Sequence, residues 1–170
     1  MPQTADFRTS AFEVPRVEAA GKFVGRRAYW RLYSIENFFR VLIHSVLSAQ
    51  IGSDWWTKAV DPRIRGDAER FRKDYLQRPW HTSPGSHAIY YTYLSHLTEI
   101  IRANSHLFLP LIPEIDQWIA RLEQVRLPRN IISHMNYPNE VDRQRIDVLH
   151  ADTRALMAQL EARGLPLLVP

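Results

Sequence analysis

The stretch from Tyr29 to about Ile51, YWRLYSIENFFRVLIHSVLSAQI, contains neither proline nor glycine. Leu32, Ile35, Phe39, Leu42 and Val46 recur within it at three- and four-residue steps. That period lays an apolar stripe along one side of a helix, whereas a half-buried strand would alternate at every residue. So long a stripe has to be covered, and the remaining segments offer helices for it. Gly52 ends the first helix, and Ser53 or Asp54 can cap a short one through WWTKAV. Residues 61–88 are rich in charge, proline and glycine, with a short helix expected around Gly66 to Gln77 and an irregular loop after it. Ile89, Tyr93, Leu97, Ile100 and Ile101 mark a second strong helix, AIYYTYLSHLTEIIRAN. Beyond Pro110 and Pro113, a third helix carries Ile115, Trp118, Ile119, Leu122 and Val125, with Glu114 and Asp116 at its start, where the helix dipole favours acids. Pro128 suits the first turn of a fourth, short helix. Asn139 caps a last helix that runs to about Arg163, before Gly164 and Pro166 stop it. No segment alternates like a strand. The expected fold is all-α, a bundle of four to five helices over residues 21–170, with residues 1–20 as a loose, flexible N-terminal arm.

Composition narrows the function. The 170 residues suffice for one domain with a sizeable core, and 45% are hydrophobic, as in ordinary globular chains. No apolar run approaches the roughly 20 residues that span a bilayer, and the first residues lack the basic-then-apolar order of a secretory signal. Without cysteine there is no disulfide framework and no thiolate metal site. A reducing, cytoplasmic setting fits best. The net charge is +4, and nineteen of the 22 basic residues are arginine. Arginine forks match phosphate geometry better than lysine does, which tilts the balance toward nucleic acid; a solvated basic surface is the plainer alternative.

The stretch PRNIISHMN, residues 128–136, carries the most chemistry. It sets Arg129 and His134 five positions apart, with Asn130 beside the arginine. An imidazole can take a proton from a ribose 2′-hydroxyl or give one to a leaving oxygen. A guanidinium can hold the phosphate and offset the charge that builds in the transition state. Asn130 can add a hydrogen bond. On a straight helix five positions turn about 140° and rise roughly 7.5 Å, so the two groups do not stack on one face. A second copy of the motif, from a partner subunit, would close such a site more easily.

RNIISH resembles the hallmark of the HEPN superfamily, an Arg-x4–6-His motif, often with Asn directly after the Arg. The likeness is nearest to the subgroup found in a eukaryotic nuclear messenger-RNA surveillance endonuclease and in many bacterial proteins. YSIENFFRVLIHSVL, with Glu36 and Arg40, is similar to that subgroup's first helix, and YTYLSHLTEIIRANSHLFLPLIP to its middle segment. Together these cover roughly residues 26 to 163. The resemblance implies a dimerising helical bundle whose two motifs face a shared cleft. It also implies a metal-independent endoribonuclease, at home in toxin–antitoxin, antiphage-defence or RNA-processing systems, with RNA as substrate and an antitoxin or regulatory protein as a further partner. By that carry-over His134 is the acid/base and Arg129 the phosphate-binding group, with no cofactor. Pro128 departs from the pattern, in which a continuous helix runs through the arginine. A related toxin group carries His-x-Tyr, its tyrosine modified by a partner nucleotidyltransferase; here Tyr137 stands three positions after His134, so that regulation is not expected. The rival reading is a non-catalytic HEPN module that binds nucleotide, RNA or a protein.

Other residues weigh less. Glu36 falls on the apolar side of the first helix, and a buried acid needs partners. Arg40 one turn on and Arg129 across the fold are candidates, either as a structural salt bridge or with Glu36 orienting Arg129 or His134. Arg70, Arg72 and Lys73 surround Phe71 and Tyr75, a pattern that can hold phosphates and stack bases; Asp67, Glu69 and Asp74 dilute it, and a solvated helix with internal ion pairs is the better reading. The histidines at 44, 81, 87, 96, 106 and 150 show no ligand spacing, so no metal is assigned, and His96 and His106 are expected on helix surfaces or ends. The five tryptophans read as core or dimer-interface anchors.

Overall fold

The computed structural model describes residues 5–9 and 11–170. The described chain is all-α and contains no strand. Its helices are α1 (Val14–Val24), α2 (Trp30–Ile51), α3 (Trp55–Ala59), α4 (Pro62–Leu76), α5 (Leu94–Ala103), α6 (Ser105–Phe108), α7 (Ile115–Ser133) and α8 (Glu140–Ala162). The bundle is built on α2, α5, α7 and α8, which pack against one another. The stripe of α2 lies at its centre: Ile35, Phe39, Leu42, Ile43, Val46 and Leu47 are almost wholly buried. Leu97, Ile100 and Ile101 of α5, Leu122 and Val125 of α7, and Ile146, Leu149 and Leu160 of α8 close over it. Burial of each such side chain is worth roughly 1.5–3 kcal/mol, which makes the stripe the main source of cohesion.

Helix α1 begins at Val14, inside the expected arm, and runs through a π-helical turn, Gly25–Tyr29, directly into α2. Phe23 stacks on Tyr137 at 5.8 Å, and Arg143 sits over both rings, at 5.2 and 5.4 Å, so α1 is pinned to the loop between α7 and α8. Residues 1–4 and 10 of the expected arm lie outside the described residues.

The second strong helix is interrupted. Ala88–Tyr91 form a 3₁₀ turn, Thr92 and Tyr93 are extended, and α5 starts only at Leu94. The run YYTY is aromatic and β-branched, and such residues lose side-chain freedom in a helix. Thr92 Oγ1 also donates to the Ile89 carbonyl at 2.6 Å, a local bond that competes with helix continuation.

Pro128 opens no new helix; it lies inside α7, which continues to Ser133. An interior proline costs about 3 kcal/mol through a lost hydrogen bond and a steric clash. Pro128 is buried on the same side as Val125 and Ile132, and that packing offsets the cost. In consequence Arg129 rides on the same rigid helix as Trp118 and Leu122.

The ends of α7 and α8 are closed alike. Past α8, Gly164 N–H donates to the Glu161 carbonyl and Leu165 N–H to that of Leu160. Past α7, Met135 N–H donates to the Ile132 carbonyl and Asn136 N–H to that of Ile131. Both are Schellman closures, which need a left-handed residue after the helix. At α8 that residue is Gly164 (φ 80), whereas at α7 it is Met135 (φ 59). The expected Asn139 cap is present, its Oδ1 accepting from Asp142 N–H at 2.8 Å.

Candidate functional site

Three segments converge on one cluster of polar side chains. α2 contributes Glu36 and Arg40, one turn apart; α7 contributes Arg129 and Asn130, and His134 forms its C-cap; the extended pair Thr92–Tyr93 supplies a carbonyl and a ring. Arg129 Nε donates to Glu36 Oε1 at 2.7 Å. Arg40 Nη2 donates to Glu36 Oε2 at 3.2 Å and to the Thr92 carbonyl at 3.0 Å, while Arg40 Nη1 donates to Asn37 Oδ1 at 3.1 Å. One carboxylate therefore holds two guanidiniums, and both partners anticipated for Glu36 are in place. The break at Thr92 frees the carbonyl that Arg40 uses. The same break sets the Tyr93 ring 5.8 Å from the Arg129 guanidinium.

The cluster is half-buried. Glu36 side-chain exposure is 11% and that of Arg40 12%, against 21% for Arg129, so Arg129 is the member that reaches solvent. Burial pulls the Arg40 guanidinium below its ordinary value; the Glu36 charge opposes this and the Arg129 charge adds to it. Arg40 Nε is buried without a hydrogen-bond partner.

Arg129, Asn130 and His134 line a single open cleft of about 450 Å³. Tyr93, Leu94, Ser95, Arg126 and Ser133 complete its walls, and no acid lines it. His134 is exposed, and its ring makes no hydrogen bond to another described residue. His134 takes the C-cap position of α7 at φ −89, ψ 18. Chemically, the cleft offers a fixed cation, an exposed imidazole and an amide.

Two more clefts adjoin it. One, about 440 Å³, shares Arg129 and Ser133 and is walled by Tyr29, Tyr33, Tyr90, Glu36 and Arg40. The other, about 690 Å³, shares Ser95 and Arg126 and is lined by Asp61, Glu99 and Glu123 against Arg102 and Arg126. Neither the tyrosines nor Arg126 stood out in the sequence: nothing in their spacing marks them, since an interrupted helix and two helices distant in sequence bring them together.

The remaining candidates fall elsewhere. Arg70, Arg72 and Lys73 lie on α4, where Arg70 pairs with Asp67 at 2.8 Å and Arg72 with Glu69 at 3.9 Å. Phe71 meets Tyr93 and Tyr75 meets Tyr91 in edge contacts. His96, expected at the surface, is instead buried in the first turn of α5, with Nε2 3.7 Å from Asp67 Oδ2 and Nδ1 accepting from Tyr93 N–H at 3.5 Å. His44 and His87 meet in an aromatic nest with Trp55 and Trp56: the His44–His87 ring centroids are 5.1 Å apart and Trp55 stacks on His87 at 5.2 Å. Among the described residues, no group of three or more His, Asp or Glu side chains is placed to hold a metal ion. No described helix is long and apolar enough to cross a membrane.

No family model, curated protein or solved structure matches the chain.

Proposed function

We propose that the chain is a metal-independent endoribonuclease of HEPN type that acts on RNA as a homodimer. The observation that supports this reading is the open, acid-free cleft that holds both Arg129 and His134, with Arg129 anchored by Glu36. In the reaction the ribose 2′-oxygen attacks phosphorus and the bond to the 5′-oxygen breaks. The products are a 2′,3′-cyclic phosphate and a 5′-hydroxyl. His134 takes the proton from the 2′-hydroxyl or returns one to the 5′-oxygen. Arg129 neutralises charge on the non-bridging oxygens, and Asn130 adds a donor to the same oxygens. Glu36 fixes the guanidinium plane and so positions Arg129 without touching substrate.

Attacking and leaving oxygens lie on opposite sides of phosphorus in an in-line displacement, so one imidazole serves one of them. A second copy, with its own imidazole, supplies the other end. That is the argument for a dimer with Arg129 near the two-fold axis. Sedimentation at micromolar concentration tests it: a dimer is expected, and a monomer that still cleaves RNA would remove the composite site. A reducing, cytoplasmic setting and an inhibitory antitoxin or regulatory partner belong to the same reading.

One observation favours a rival, a non-catalytic HEPN module that binds nucleotide, RNA or a protein: no hydrogen bond orients the His134 ring. Incubating the purified protein with end-labelled RNA in excess chelator separates the two. The nuclease gives fragments ending in cyclic phosphate, whereas the module binds RNA and leaves it whole.

A further inference from the structure

The two clefts that flank the Arg129–His134 cleft differ in charge and in walls. The one reached past Ser95 and Arg126 sets three acids against two arginines. The one reached past Arg129 and Ser133 sets two guanidiniums, Arg40 and Arg129, against the single carboxylate of Glu36. A phosphate chain leaving the Arg129 cleft is repelled by the first and attracted by the second. The second also carries aromatic faces. Tyr29, the last residue of the π-helical turn, and Tyr33, in the first turn of α2, stand four residues apart, 58% and 63% exposed, and Tyr90 lines the same cleft. Large exposed aromatics beside a half-buried cationic pair have no role in the core. Stacking on such rings holds a nucleobase whatever its identity, while the cations hold its phosphate.

We infer that the tyrosine-walled cleft is a subsite for the nucleotide adjoining the scissile linkage, its base stacked on Tyr29 or Tyr33 and its phosphate facing Arg40 and Arg129. This rests on the ribonuclease reading for the word scissile, but the subsite itself is read by binding alone. The asymmetry also sets a direction: the bound strand extends from His134 past Arg129 toward α2 and avoids the side of Glu99 and Glu123.

The test is equilibrium binding of a short, fluorescein-labelled 2′-O-methyl oligoribonucleotide, which lacks the attacking hydroxyl and cannot be cleaved. Anisotropy is read at fixed, low salt for the wild type and for Tyr29→Ala, Tyr33→Ala and Tyr33→Phe, with sedimentation of each variant alongside. Both tyrosines are exposed, so their truncation leaves the core intact. The expected result is binding about tenfold weaker in at least one alanine variant and near wild-type binding in Tyr33→Phe. Unchanged affinity in both alanine variants overturns the subsite and leaves the nuclease reading standing. Weaker binding accompanied by a change of mass also overturns it, by assigning the rings to an interface between copies. Failure of the wild type to bind overturns both proposals. Tyrosine-dependent binding by a protein that cleaves no RNA supports the subsite and removes the nuclease alone.

Discussion

Glu36 carries a double duty in the cluster. Its two oxygens separate guanidiniums that would otherwise repel in a half-buried space. Glu36→Gln keeps the shape and removes the charge. Removing one partner of a buried ionic cluster leaves the others uncompensated, at a typical cost of about 3 kcal/mol. Urea unfolding of Glu36→Gln should show a loss of about that size, with Arg40 the member least able to find water; a loss below about 1 kcal/mol would mean the cluster contributes little to the fold. The pairing was legible in part from sequence, since Glu36 falls on the apolar side of a helix and such an acid must find cations. Which face of Arg129 it would hold, and the Thr92 carbonyl that completes Arg40, were not. They depend on a helix break that the apolar period of residues 88–104 runs straight across.

The element scale shows why sequence period alone misplaced two boundaries. Ile89, Tyr93, Leu97 and Ile100 keep a helical period through Thr92, yet an Oγ1 hydrogen bond and two aromatic neighbours decide against the helix locally. Pro128 reads as a start because prolines favour the first turn, yet burial on an already packed face carries α7 past it. Both corrections bear on the site: the first turns Tyr93 onto Arg129, and the second fixes Arg129 to the bundle core. By contrast the long α2, the Asn139 cap and the Gly164 stop were legible because each depends on local chemistry. The matched closures of α7 and α8 yield a prediction. Met135 holds a left-handed conformation that costs a side-chain-bearing residue roughly 1–2 kcal/mol, while glycine adopts it freely at a price in unfolded-chain entropy of roughly half that. Met135→Gly should therefore stabilise the fold by about 0.5–1 kcal/mol, seen as a higher urea midpoint. A lower midpoint would show that the exposed Met135 side chain is held by contacts that outweigh the strain.

For the whole molecule, four histidines set the response to acid. Burial lowers His44, His87, His96 and His150 below the usual imidazole value. The neighbouring His44 adds to the effect at His87. At His96 the Asp67 and Glu99 carboxylates oppose burial and Arg63 adds to it; at His150 Arg31 and Arg154 add to it and Asp147 opposes. Each group is harder to protonate folded than unfolded, so its contribution is complete above about pH 6.5 and is lost as pH falls from there toward the folded value. Thermal midpoints should hold from pH 8 to 7 and drop below about pH 6.5. His87→Asn keeps an acceptor for Ile89 N–H and removes the charge, so it should flatten that drop; an unchanged slope would place the acid sensitivity elsewhere.

Arg129 and His134 are proposed to work together on one phosphate in an acid-free cleft. The most direct measurement is the single-turnover rate of RNA cleavage in chelator for wild type and His134→Ala, each with its fold checked by circular dichroism. His134 is exposed and tied to the fold only through its backbone, so the variant should fold normally while cleaving at least about a hundredfold more slowly. Equal rates in the two proteins would contradict the claim.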